Sequence, residues 1–260
     1  MDCDRLLTLA TELGYGLLKS GAEIYRVEES IQRVLTAYGV GTGEPFVIPN
    51  CIIVSLVTPE GVSLTRVKRM PVHGTDIDLL ERYNALSRSL CATAPPVEEA
   101  LARLDDIGRT RRDYPFWLQL AAYFVGAAAF TLFFGGNGRD SICGGLCGVA
   151  AGLCLTGLAR LLANSFFRVM VGAAASAFLA HALVFLGLGV HPSFIIIGAL
   201  MTLVPGVVFT NAIRDVMAGD MMAGISKVAD ALLTGVSIAV GTGFALWLTR
   251  LIWGVQTWNF

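Results

Sequence analysis

Near the start of the chain, hydrophobic residues recur at helical spacing. Leu6, Leu9, Leu13 and Leu17 form one stripe. After a break near Gly21, a second stripe runs through Ile24, Val27, Ile31, Val34 and Tyr38. The spacing predicts two helices over residues 5–38, with Glu23 and Arg26, and Glu29 and Arg33, placed to pair across one turn. Glycines from Gly39 to Gly43 end the second helix. Residues 46–58 are β-rich and mostly apolar, which predicts a single strand buried on both faces. Pro59-Glu60-Gly61 reads as a turn, and residues 62–69 alternate as a second strand. Residues 75–90 return to helix, with Thr75 or Asp76 as its cap. Residues 95–107 read as a short helix that opens on proline and carries Glu98 and Glu99 in its first turn.

The pattern then changes. A hydrocarbon core about 30 Å thick takes about 20 apolar residues in a helix. Five stretches qualify: 115–134, 142–163, 169–188, 194–212 and 231–251. Breakers separate them: Gly135-Gly136-Asn137-Gly138, Asn164-Ser165 and Gly189-Val190-His191-Pro192. The predicted fold class is an α-helical integral membrane protein. A small cytoplasmic α+β domain over 1–112 precedes a five-helix transmembrane domain over 113–260.

Composition sharpens this division. Mean hydropathy is +0.66 and only 15% of residues are charged, against about 25% in soluble domains. Of the 39 charged residues, 29 lie in 1–114, so the polar and membrane parts are separate. The formal net charge of −1 excludes a nucleic-acid binder led by charge. Disordered and fibrous classes are excluded by the apolar content. Basic residues near the spans orient the chain. Arg109, Arg111, Arg112, Arg160, Arg168, Arg214 and Lys227 fall on one side, and Arg139 and Arg250 on the other. This asymmetry predicts a membrane protein with its N-terminus in the cytoplasm. Trp247, Trp253 and Trp258 fit an outer aromatic belt. The opening Met-Asp-Cys-Asp-Arg has acids where a signal peptide has bases. The six cysteines lack the spacing of a disulfide frame or a zinc site and read as reduced, packed thiols.

Motifs for nucleotide binding and hydrolysis are missing: the chain has no P-loop, G-x-S-x-G, H-E-x-x-H or G-x-G-x-x-G pattern. No cofactor and no metal are expected, and a gradient would have to drive any transport. The fourth stretch carries the candidate chemistry. Pro205 removes a backbone donor near mid-span, and Gly206 loosens the backbone beside it. Broken helices of this kind expose backbone groups to solutes in secondary transporters. Asn211 and Asp215 follow on one helix face, with Arg214 between them and Asp220 beyond. Pro205, Gly206, Asn211 and Arg214 are therefore the candidate solute ligands, and Asp215 and Asp220 the candidate proton carriers. His181, inside the third stretch, is either a relay or a hydrogen-bonded helix contact. Gly144, Gly148 and Gly152 form a helix-packing ridge. No internal repeat is visible, and five spans leave a midplane site half enclosed. That calls for a second membrane subunit or a homo-oligomer in the bilayer.

Two segments resemble the threonine/serine exporter (ThrE) family. One is Gly21-Ala22-Glu23-Ile24-Tyr25-Arg26-Val27-Glu28-Glu29-Ser30-Ile31 together with the β segment from Ile48 to Ser55. The other is Leu203-Val204-Pro205-Gly206 followed by Asn211-Ala212-Ile213-Arg214-Asp215 and Gly219-Asp220. The resemblance implies efflux of threonine and serine, or of a dicarboxylate such as succinate. Long members of that family have about twice as many spans in one chain. This chain is similar to the larger subunit of a split version. A reading from another class is a membrane-anchored cytoplasmic enzyme or sensor, with Glu23, Arg26, Glu28, Asp76 and Asp78 lining a pocket.

Overall fold

The computed structural model describes residues 2–70, 74–110, 114–161 and 164–254. The chain divides into two compact units. One joins Met1–Asp113 to Phe209–Val228, and the other joins Tyr114–Val208 to Ala229–Phe260. Residues 209–228, read from the sequence as part of the membrane domain, thus join the N-terminal unit.

In the N-terminal unit, α1 (Cys3–Lys19) is the central element. Its stripe of Leu6, Leu9, Leu13 and Leu17 is entirely buried. It packs on α2 (Ile24–Ala37), α3 (Ile77–Thr93), α4 (Val97–Arg109) and the inner face of a three-stranded sheet. Gly21, with φ +100°, makes the corner between α1 and α2, a backbone conformation that costs a glycine little. Asp76 caps α3, its side chain accepting from the Leu79 amide.

The sheet is antiparallel in the order β1 (Glu44–Ile48), β2 (Cys51–Val57), β3 (Ser63–Arg69). The long strand expected over 46–58 is instead a hairpin. Ile48 pairs with Cys51, and Pro49 and Asn50 make the two-residue loop. The sheet is also buried on one face only. Ile52, Val54 and Leu56 are buried under α1, while Cys51, Ile53 and Ser55 alternate outward and are half-buried. Among the described residues the outer face is not fully buried, so the double burial of a parallel sheet does not arise. On the inner face, Arg66 and Lys68 reach Asp4 and Glu12 of α1.

Among the described residues, four helices are long and apolar enough to span a bilayer: α5 (Phe116–Phe133), α6 (Gly138–Gly157), α7 (Ser165–Phe185) and α10 (Met221–Trp253). The stretch 194–212 is not one helix. It is α8 (Pro192–Leu200), a break over 201–205, and α9 (Gly206–Ala218). Pro205 explains the break, since it lacks a donor and its ring clashes with the preceding turn. The ladder decays into i→i−3 bonds, Thr202 to Ala199 and Leu203 to Leu200. At 1.5 Å per residue, neither piece alone reaches across about 30 Å.

Small residues set the spacing inside the membrane unit. A Cβ on Gly148 would lie 2.6 Å from the Tyr123 carbonyl oxygen, and one on Gly152 2.6 Å from the Tyr123 ring. The glycine ridge is the α5–α6 contact. Thr131, fully buried on α5, sits as a knob against Gly144 of α6 and Gly198 of α8. The outward faces are apolar, as lipid contact requires; on α5, Val125 is 65% and Phe133 80% exposed. Cys143 and Cys147 are free, buried thiols. Trp247 is exposed and stacks on Phe244, whereas Trp253 packs between Phe178 and Phe185 of α7. Arg111, Arg112, the Arg160 side chain and Trp258 lie outside the described residues.

A bulkier residue in the ridge should part α5 from α6. Gly148→Val is expected to cost at least about 2 kcal/mol. The check is a lowered apparent melting temperature of the detergent-solubilised chain, with Gly157→Val, where a Cβ meets nothing within 4 Å, as the control.

Candidate functional site

The N-terminus of α2 receives α9 and the first turns of α10. Helix α2 starts with a defect. Its N-cap residue, Glu23, makes no side-chain capping bond, so the first amides lack partners. Asp215 of α9 supplies one, its Oδ1 accepting from the Ile24 amide at 3.2 Å. Its Oδ2 accepts from Lys227 Nζ of α10 at 2.6 Å. Asp215 is completely buried, and the Lys227 side chain is 16% exposed. A negative charge at a helix N-terminus is favoured by the helix dipole, and the lysine balances it. One carboxylate therefore ties three helices together.

Two further contacts flank it. Asn211 Nδ2 donates to the Gly21 carbonyl at 3.2 Å. Arg214 Nη1 donates to Glu23 Oε1 at 2.8 Å, while Glu23 Oε2 pairs with Arg26 at 3.0 Å. Glu23 is buried between two arginines that are each more than half exposed. Tight packing supports these bonds: Ala223 joins the core of the N-terminal unit, and a Cβ on Gly224 would meet the Ala212 carbonyl at 2.9 Å.

Asp220 lies in the turn between α9 and α10, its amide donating to the Asp215 carbonyl at 2.9 Å. Burial, and then the charge of Asp215, push its carboxyl above the usual range, with Lys227 opposing. Glu28 stands near it, with Oε1 accepting from the Val47 amide of β1 at 2.8 Å. Burial also raises Glu28; the Val47 bond opposes this, and the Asp220 charge adds to it.

The candidate residues thus separate into two sets. Asn211, Arg214, Asp215 and Asp220 come together with Glu23, Arg26 and Glu28, which the sequence assigned to a rival reading. Pro205 and Gly206 belong to the other unit, at the start of α9, where a Cβ on Gly206 would meet nothing within 4 Å. Asp76 caps α3 and Asp78 pairs with Arg82 at 3.9 Å. His181 is buried in α7 and its Nδ1 donates to the Ala177 carbonyl of its own helix at 3.1 Å. Among the described residues, no cluster of His, Cys, Asp and Glu is suited to a metal ion.

Sequence reasoning missed Asp140 and His191 in the membrane unit. Asp140 is completely buried at the start of α6. It accepts from the Val190 amide at 2.7 Å, the His191 amide at 3.1 Å and His191 Nδ1 at 2.9 Å, and forms a capping box with Asn137. The signal was present: Asn137 and Asp140 stand three apart ahead of an apolar run.

Comparison with known proteins adds the lineage. The family model described as "Putative threonine/serine exporter" matches residues 8–249. A protein of Mycobacterium tuberculosis named "Probable threonine/serine exporter" is 26% identical over 242 residues, covering 91% of this chain and 45% of that protein. The "Threonine/serine exporter" of Corynebacterium glutamicum is 24% identical over 259 residues, covering 95% of this chain and 52% of its own. The chain therefore spans about half the length of these two relatives. The "Probable succinate transporter subunit YjjP" of Escherichia coli K12 is 24% identical over 258 residues, covering 96% of this chain and 95% of its own. No solved structure matches.

Two outcomes test the network. Asp215→Ala removes the partner of a buried lysine and of the Ile24 amide, and should cost about 3–5 kcal/mol. Adding Lys227→Met should recover part of that loss, measured as coupling in a double-mutant thermal-unfolding cycle. The second outcome concerns pH. A carboxyl raised in the folded chain contributes stability that is greatest on the acid side and lost as pH rises through its raised pKa. Asp220→Asn should flatten that slope and raise the melting temperature at neutral pH.

Proposed function

Because the chain belongs to the threonine/serine exporter family, we propose that it is one subunit of a secondary exporter. It moves small carboxylate-bearing solutes, threonine and serine or a dicarboxylate such as succinate, out across the bacterial inner membrane. The family is one of transporters, so a membrane-anchored enzyme is set aside. The observation that carries the subunit reading is the likeness to a protein named as a transporter subunit, 24% identical over 258 residues. The chain covers about half of the two exporters but 95% of the protein named as a transporter subunit. The other half of the pathway then comes from a second membrane subunit, or from another copy of this chain.

In this reading α8 and the start of α9 form a discontinuous fourth span, and the N-terminus faces the cytoplasm. The break at 201–205, with Pro205 and Gly206, offers backbone groups to the solute. Arg214 is the carboxylate-binding group. In the structure its guanidinium is held by the carboxylate of Glu23, which stands where a solute carboxylate would compete. Asn211 offers an amide beside it. Asp220 is the better placed of the two proton carriers. It is partly exposed, and burial and the Asp215 charge raise its carboxyl above the usual carboxylate range, whereas Asp215 is locked between Lys227 and the Ile24 amide. Solute arrival and proton uptake would each loosen the hold of α9 on α2, and the gradient would set the direction.

The experiment is efflux from preloaded cells carrying this chain, with and without a candidate partner subunit. Labelled threonine, serine and succinate are followed in parallel. Efflux of one solute only with both chains is the expected result; efflux from this chain alone would replace the companion with a homo-oligomer. Arg214→Ala should cut efflux by tenfold or more with insertion unchanged, since Glu23 keeps Arg26 as its partner. Normal efflux by that variant would remove Arg214 from the path.

A further inference from the structure

Helices α2 and α3 each carry a polar stripe above their apolar seam. On α2 the stripe is Arg26, Ser30 and Arg33, at i, i+4 and i+7; on α3 it is Glu81, Asn84 and Arg88, at i, i+3 and i+7. Between them lies a cleft of about 700 Å³, lined by both stripes and by Ser87. That volume suits a small molecule. The lining mixes charged and polar side chains with Tyr25, Cys91 and Ala92, so it fits a small occupant with charged groups and a short apolar part.

The side chains divide by whether they already have partners. Arg26 is held by Glu23 at 3.0 Å and Arg33 by Glu29 at 2.6 Å. Arg88 and Glu81 have no ion-pair or hydrogen-bond partner among the described residues. Ser87 lines the cleft, and its hydroxyl has no hydrogen-bond partner among the described residues. What the cleft leaves unmatched is the Arg88 guanidinium, the Glu81 carboxylate, the Ser30 and Ser87 hydroxyls and the Asn84 amide.

We propose that this cleft binds a free amino acid as its zwitterion, with Arg88 taking the carboxylate, Glu81 the ammonium, and Ser87 and Asn84 the remaining polar atoms. The proposal rests on the exporter reading for its solute class and narrows it, because a dicarboxylate would bring a second negative charge to Glu81. The cleft also has a line to α9. Arg26 lines it and shares the Glu23 carboxylate with Arg214. An occupant that draws Arg26 away leaves Glu23 wholly to Arg214, so a filled cleft tightens the contact with α9.

Isothermal titration of the full chain in lipid nanodiscs tests this, with threonine, serine and succinate as titrants. The expected result is saturable binding of threonine or serine, weakened at least tenfold by Arg88→Gln and by Glu81→Gln. Glu81→Gln, an isosteric change at an exposed position, guards against misfolding of the arginine variant. Succinate should bind more weakly than the amino acids and gain on Glu81→Gln. The proposal is overturned by no saturable binding of an amino acid, by binding that both cleft substitutions spare, or by succinate binding as tightly through Arg88. Amino-acid binding that Arg214→Ala abolishes while Arg88→Gln spares it would place the solute on α9 instead. Because titration reads binding without transport, a failure of the efflux experiment and a failure of the cleft are told apart.

Discussion

Asp215 is the residue on which the N-terminal unit depends. A fully buried carboxylate is expensive unless its charge and its lone pairs are both satisfied. Here Lys227 answers the charge and the Ile24 amide uses the second oxygen. The amide needs it just as much, since Glu23 at the N-cap turns its own carboxylate outward to two arginines. Helix α2 is thus capped from 191 residues away in sequence. The arrangement is specific because it admits no slippage: moving α9 by one residue would swing the aspartate off the helix end and bury it unpaired.

This juxtaposition gives a physical reason for the two segments that carry the family resemblance. One begins at the Gly21 corner and the other contains Asn211, Arg214, Asp215 and Asp220. In the structure the second packs on the first, through the Gly21 carbonyl, the Glu23 carboxylate and the Ile24 amide. Each residue type was legible in the sequence as chemistry. That the two sets are partners was not, because nothing in one chain's spacing links position 24 to position 215. Two rival readings were built on halves of one network.

The fold was readable where a single physical rule dominates. Periodic leucines, the polar-to-apolar change near residue 113 and the proline break at 205 all follow from burial, solvation or a missing donor. It was misread where two rules compete. The run 46–58 is apolar enough for one strand, yet Pro49 and Asn50 turn it into a hairpin. Its outer face stays half-exposed, and the sheet is buried on one side only. Asp140 and His191 were overlooked because one stands in the first turn of α6 and the other at the N-cap of α8, where a lone polar residue usually faces water. The buried brace appears only when the α7–α8 connection folds back on the start of α6.

The N-terminal unit is not a continuous piece of chain, and this matters for how the molecule is made. Synthesis delivers α1 to α4 first, with the α2 end uncapped and the seat for Ala223 empty. The missing parts, residues 209–228, emerge only after α5, α6, α7 and α8 have been translated. The first-born portion must therefore wait, incompletely packed, until most of the membrane helices exist. A chain cut short before residue 228 leaves this unit unfinished. Asp215 and Lys227 are among the last of its parts to be made, and they complete its packing.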